Sequence, residues 1–234
     1  MEKLQAHLNE LLARLDNESE VKARLETLVS VYPFNEFEYI ISTLLSTGVL
    51  SLQSYQEIRI EYISRNKNRS LYEISSPTGF GITWAQEHIQ ELVPQLTKPP
   101  KGARHFDFVL DGSIRLEVKA SRAVAYKTKG KLYEKALTSG SPKQFDMNFQ
   151  QMKPRHCEVF LWIGVWLDVI RYWVLSSEDV ESNRYYSAGQ HEGNVGEGQL
   201  HMNRDNLPEF KKYEAQPSEL AVAIRNAQQR QNGK

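Results

Sequence analysis

Three residues combine the types and spacing that could perform hydrolytic chemistry: Asp107, Glu117 and Lys119. They lie in His105-Phe106-Asp107-Phe108-Val109-Leu110-Asp111-Gly112-Ser113-Ile114-Arg115-Leu116-Glu117-Val118-Lys119-Ala120-Ser121. Both halves of this stretch alternate apolar and polar residues, the period of a half-buried strand. Phe106, Phe108 and Leu110 form one apolar set, and Ile114, Leu116, Val118 and Ala120 the other. Paired antiparallel strands place opposed side chains on a common face, so the two sets must pair with each other. A two-residue turn would put them on opposite faces. A three-residue loop, Asp111-Gly112-Ser113, pairs Leu110 with Ile114, Phe108 with Leu116 and Phe106 with Val118.

That register sets Asp107 across from Glu117 and His105 across from Lys119. Two facing carboxylates repel and destabilise a sheet. A divalent cation resolves the conflict, and hard oxygen ligands from adjacent strands suit Mg²⁺, which binds one or two carboxylates and keeps several waters. Lys119 can then hold an attacking water or offset charge developing on a phosphate. The alternative is a solvated sheet face on which Arg115 and Lys119 balance the two acids. Glu-x-Lys alone decides nothing, because Glu20 to Lys22 and Glu209 to Lys211 repeat it.

The elements around the hairpin follow from periodicity. Residues 1 to about 65 read as helices, with Leu4, Leu8, Leu11, Leu12 and Leu15 at helical spacing. Asn17 can cap a second helix, Phe37 to Leu45 forms a third closed by Gly48, and Ser51 can cap a fourth. Trp84 to Leu92 is amphipathic. Residues 122 to 157 are polar and basic and read as a loop with a helix. Glu158 to Val165 is a near-continuous apolar run, as in a strand covered on both faces, with Arg171 to Leu175 as its partner. Residues 183 to 199 read as a Gly-rich loop, and a helix over 218 to 229 closes the chain. The expected fold is α/β (α+β): a mixed central sheet flanked by helices, with an N-terminal helical region at 1–70 and a core at 71–234.

Net charge is zero across 234 residues, with 29 Lys+Arg and 29 Asp+Glu, which argues against an indiscriminate polyanion binder. The charge is uneven. Residues 98–135 carry 10 basic and 4 acidic residues, whereas residues 1–97 are net −5. A concentrated basic stretch around facing acids is the footprint of a focused phosphate site. A single cysteine, Cys157, excludes a disulfide framework and a cysteine-based zinc site, and it reads as structural. No apolar run spans a membrane and the first residues are not a signal peptide, so a cytoplasmic location is expected. His191 and His201 stand in no zinc-binding motif, and Trp162, Trp166 and Trp173 read as core.

Asp107 followed by a hairpin and Glu117-Val118-Lys119 resembles the signature of the PD-(D/E)xK nuclease superfamily, with Phe106 in the slot of the eponymous proline. The resemblance covers roughly residues 79 to 175. It implies a metal-dependent phosphodiesterase acting on DNA, with Glu87 on the upstream helix completing a metal site of Asp107 and Glu117. The chain is most similar to a type II restriction endonuclease, and no ATP-binding Gly-rich motif occurs. The resemblance implies one or two Mg²⁺ per site and products with 5′-phosphate and 3′-hydroxyl ends. Cutting both strands of a palindrome implies a homodimer. A repair or recombination nuclease of the same fold, and a non-catalytic DNA-binding module, are the competing readings.

Double-stranded DNA as partner requires phosphate contacts and base contacts. Arg104, His105, Ser121, Arg122, Lys127 and Lys129 are the candidates nearest the acids. Candidate base readers are Lys143, Gln144, Asn148, Gln150 and Gln151 in the crossover, and Arg184, Gln190, His191 and Asn194 in the Gly-rich segment.

Overall fold

The computed structural model describes residues 2–27, 36–100, 105–189 and 197–232. The chain divides into two compact units, Met1–Arg65 and Asn66–Lys234. The first is helical: α1 (Glu2–Leu12), α2 (Glu18–Thr27), α3 (Glu36–Ser46) and α4 (Leu52–Arg65). Its core gathers Leu8, Leu11, Leu12, Leu15, Val21, Ile40, Leu44 and Leu50. Gly48 ends α3 in the left-handed conformation at φ +73°, and Ser51 Oγ accepts the Ser54 N–H at 3.0 Å to open α4.

The second unit begins with α5 (Arg69–Glu73). A π turn over Gly79–Trp84 runs into α6 (Ala85–Leu92). Then follow β1 (Phe108–Leu110), β2 (Ile114–Arg122), β3 (Val124–Ala125), α7 (Leu132–Lys135) and β4 (Phe145–Met152). The chain continues through β5 (Val159–Val165), β6 (Ile170–Ser176), α8 (Ser177–Glu181), β7 (Tyr186–Ala188) and β8 (Gly198–Asn203). It closes with α9 (Leu207–Phe210), β9 (Glu214–Ala215) and α10 (Leu220–Asn232). The fold is mixed α+β. Its central five-stranded sheet has the order β1-β2-β5-β6-β9, with β2 parallel to β5 and the other neighbours antiparallel.

The β1–β2 hairpin adopts the expected register, Leu110 opposite Ile114 and Phe108 opposite Leu116. Asp111 and Gly112 both have positive φ, 52° and 72°. Asp111 tolerates that conformation as a short polar residue, and Arg225 of α10 grips its carboxylate at 2.7 and 3.1 Å.

Strand β5 is buried along its whole length because it separates two cores. Val159, Leu161 and Ile163 face one core together with Phe108, Leu116, Val118, Ile89 of α6 and Ile224 of α10. Phe160 and Trp162 face the other, with Met147, Phe149, Leu200 and Met202. That second core differs from expectation. Residues 122 to 157 hold the expected helix, α7, but also two strands that were not expected: β4 pairs with β3 and β8, and β7 completes a four-stranded antiparallel sheet in the order β3-β4-β8-β7. The physical reason is period-2 alternation. Phe145, Met147 and Phe149 are buried between half-exposed polar neighbours, so only a strand can bury them together. Two segments of the Gly-rich stretch are likewise strand, in β7 and at the start of β8. The central sheet thus has helices on one face and a second sheet on the other.

Candidate active site

The hairpin ladder stops at Phe108, one residue short of the expected Asp107–Glu117 pair. The Asp107 N–H donates to Leu116 O at 2.9 Å, and the chain then leaves the sheet edge. The Asp107 side chain takes over the ladder's role: Oδ2 accepts the Val118 N–H at 2.8 Å. Oδ1 accepts Gln86 Nε2 at 2.6 Å, and Gln86 Oε1 accepts Lys98 Nζ at 2.9 Å. The departure also corrects Phe106, which packs against the second core and not with Phe108 and Leu110.

Glu117 and Lys119 lie on the face of β2 that carries Phe160 and Trp162 on the neighbouring strand, between the two sheets. Glu117 is 7% exposed. Its Oε1 meets Lys119 Nζ at 2.7 Å, the Cys157 thiol lies 3.9 Å from Oε2, and the Lys153 backbone N–H faces the carboxylate and favours its charge. Burial pushes both carboxyl pKa values up, and the Asp107 charge raises Glu117 further while Lys119 opposes the shift. The site is a pair of desolvated carboxylates, with one ammonium paired to Glu117 and acting at longer range on Asp107.

Glu87 does not join this pair. The α6 residue that reaches Asp107 is Gln86, and Glu87 is exposed. The helical wheel gives the reason. At 100° per residue, Glu87 points opposite to the buried face of Ala85, Ile89 and Val93, whereas Gln86 sits at its border. The periodicity that located α6 contained this information. Lys98 and the Lys153 N–H carry no comparable signal, because folding alone brings them to the acids.

Arg122 is spent inside the fold. Its guanidinium donates to Leu71 O at 2.9 Å and Ile74 O at 2.8 Å and lies 3.9 Å from the Phe80 ring centre, which removes it from the phosphate-binding set. His105 is exposed and stacks on His156 at 4.3 Å, not across from Lys119. Desolvation, and then the positive charges of His105, Lys153 and Arg115, hold the His156 pKa down. Ser121 follows Lys119 on the same face of β2, opposite Gly164. Lys127 and Lys129 are exposed beyond β3. Gln144 donates to Asp205 at 3.0 Å, and Arg184 is held by Glu209 and Tyr185. Lys143 and Gln150 are exposed and Asn148 half-buried. Arg104, Gln190, His191 and Asn194 lie outside the described residues.

Among the described residues no three His, Cys, Asp or Glu side chains gather as a metal cage. The donor chemistry of Asp107 and Glu117 nevertheless fits a small hard cation, since Mg²⁺ needs only one or two carboxylates and fills its shell with water. A buried and a half-buried carboxylate whose pKa values are both driven upward are the arrangement a cation relieves.

No protein-family model matches this chain, and no curated protein matches it. Among solved structures, the chain has a match in a bacterial homing endonuclease, I-Ssp6803I. The identity is 12% and the TM-score 0.38, over 68% of this chain and 99% of that one. No helix among the described residues is long and apolar enough to cross a membrane.

Proposed function

We propose that the chain is a metal-dependent endonuclease that hydrolyses double-stranded DNA, of the type II restriction kind and acting as a homodimer. The observation that carries this reading is the desolvated pair Asp107 and Glu117, with Lys119 Nζ 2.7 Å from Glu117. Mg²⁺ held by Asp107 and Glu117 would neutralise charge on the phosphate and acidify a bound water. The protein's own part is positional. Gln86 and the Val118 N–H fix the orientation of Asp107. The Lys119 ammonium, at 2.7 Å, holds Glu117. Lys119 supplies an ammonium that can turn from Glu117 toward a water or a non-bridging phosphate oxygen. Lys98 acts on Asp107, and Arg155 acts with Glu117 on Tyr186; these two cations favour a polyanionic substrate.

The test is digestion of a long DNA of mixed sequence in Mg²⁺. Discrete fragments with 5′-phosphate ends are expected. Nicking confined to junctions or mismatches would shift the assignment to a repair nuclease, and absence of cutting would reduce it to a binding module.

A further inference from the structure

The outward face of the second sheet has an unusual composition. The alternation that buries Met147, Phe149, Leu200 and Met202 turns Asp146, Asn148 and Gln150 of β4, and Gln199, His201 and Asn203 of β8, to the other side. A plain solvent-facing sheet favours β-branched residues such as Thr, and Asn and Asp are depleted from strands. None of these six positions is β-branched, and none is Lys or Glu. Asn203 is explained by the turn it caps, where its Oδ1 accepts the N–H groups of Asp205 and Asn206. The others have no such local account. Asn148 Nδ2 donates to Gln199 Oε1 at 3.2 Å, and His201 Nδ1 meets Asp146 Oδ1 at 2.8 Å, so partners hold these side chains in place. The Asn148 Oδ1 is enclosed without a partner, which makes Asn148 a support for Gln199 and not itself a contact surface.

Two further observations connect this face to the acids. The β4–β8 register breaks between Phe149 and Met152, and Gln151 there has φ +54°. Such a bulge re-aims side chains, and here it exposes Gln150 and Gln151 next to each other. Just beyond it, the Lys153 N–H faces Glu117. The strand that presents the amides therefore ends on the catalytic pair. Exposed cations flank the face, Lys143 and Arg204 at one end and Arg155 at the other.

We propose that this face reads base edges of duplex DNA, with Gln150, Gln199 and His201 as specificity-determining side chains and Asn148 positioning Gln199. The inference rests on the nuclease reading above and adds to it the surface that chooses the sequence. Amides offer a donor and an acceptor together, which matches adenine in the major groove, and the groove admits a two-stranded ribbon such as β4–β8. The cations at each end suit the phosphates on either side of the groove. Five residues separate Asn148 from Lys153. That is about 16 Å of strand, the rise of about five base pairs, so the bases read should lie within that distance of the cut.

Selection from a randomised duplex library, with Ca²⁺ in place of Mg²⁺, tests this on the full chain. The wild-type chain should enrich a motif. Gln150→Ala with Gln199→Ala should lower the enrichment at one or two adjacent positions about tenfold to a hundredfold, with the remaining positions kept. His201→Ala should relax a different position, and Lys127→Ala none. An unchanged motif in the double variant, equal weakening at every position, or no motif from the wild-type chain would overturn the inference. The Mg²⁺ digestion of mixed DNA by the wild-type chain reports on the nuclease reading separately: cutting by the wild-type chain together with an unchanged motif in the double variant would overturn this inference alone.

Discussion

Asp107 is held at both oxygens, and the identity of its holders makes the residue-scale account testable. Gln86→Ala removes the side chain that orients Oδ1 and also frees Lys98. Loss of such a supporting hydrogen bond to a metal ligand typically costs 10- to 100-fold. Mg²⁺ affinity and the cleavage rate should fall in that range for Gln86→Ala and stay near wild type for Glu87→Ala. The reverse order in a Mg²⁺ titration would restore Glu87 as the ligand. Protonation offers a second handle. Both carboxyls have raised folded-state pKa values, so the fold prefers them protonated. Their contribution to stability is present below the unfolded values near 4 and is lost as pH rises through the raised folded values. A cation binds only the ionised pair. Thermal unfolding should therefore show a Mg²⁺-induced rise in Tm that is larger at about pH 8 than at about pH 4. An equal rise at both pH values would mean the cation binds elsewhere.

At the scale of elements, the site exists because β2 is shared by two cores. Its Leu116 and Val118 are sealed beneath α6 and α10, which leaves Glu117 and Lys119 between the sheets. The spacing of those sheets depends on Gly164 of β5, where a Cβ would stand 2.6 Å from Trp173 Cζ3 and 3.1 Å from Met147 Sδ. Gly164→Ala should destabilise the fold by about 1–3 kcal/mol, the usual cost of overpacking. Denaturant unfolding measures this, and an unchanged midpoint would show that the sheets can separate freely. The hairpin register was legible in the sequence because pairing the apolar sets allowed one loop length. The second sheet was equally legible in Phe145, Met147 and Phe149, but the surrounding Lys, Gln and Ser residues hid a three-residue alternation behind a loop-like composition. The end of the ladder at Phe108 was not legible. It depends on a side chain replacing a backbone acceptor, and alternation continues through Phe106 as though the strand did too.

For the molecule as a whole, zero net charge masks an acidic N-terminal portion and a basic stretch at 98–135. In the structure, part of that basic charge is structural. Arg122 is half-buried and engaged by carbonyl oxygens, and Arg115 is paired with Glu158, while Lys98 and Lys119 serve the acids. Arg155, brought from distant sequence, adds positive charge on the Glu117 side, whereas the Lys153 ammonium is paired with Glu197 at 2.9 Å. Binding to duplex DNA should accordingly weaken steeply with salt, with a log–log slope set by the few phosphates neutralised, roughly −0.9 for each. A salt-independent affinity in a titration would exclude a phosphate-contacting surface. The central claim is that Asp107 and Lys119 perform phosphodiester hydrolysis and are not merely part of a binding surface. The most direct measurement is cleavage of a duplex DNA circle in Mg²⁺ by the wild-type chain, Asp107→Ala and Lys119→Ala, with binding followed in parallel by mobility shift in Ca²⁺. The account predicts that both variants lose cleavage by about 100-fold or more while retaining DNA binding. Cleavage at the wild-type rate by either variant would contradict it.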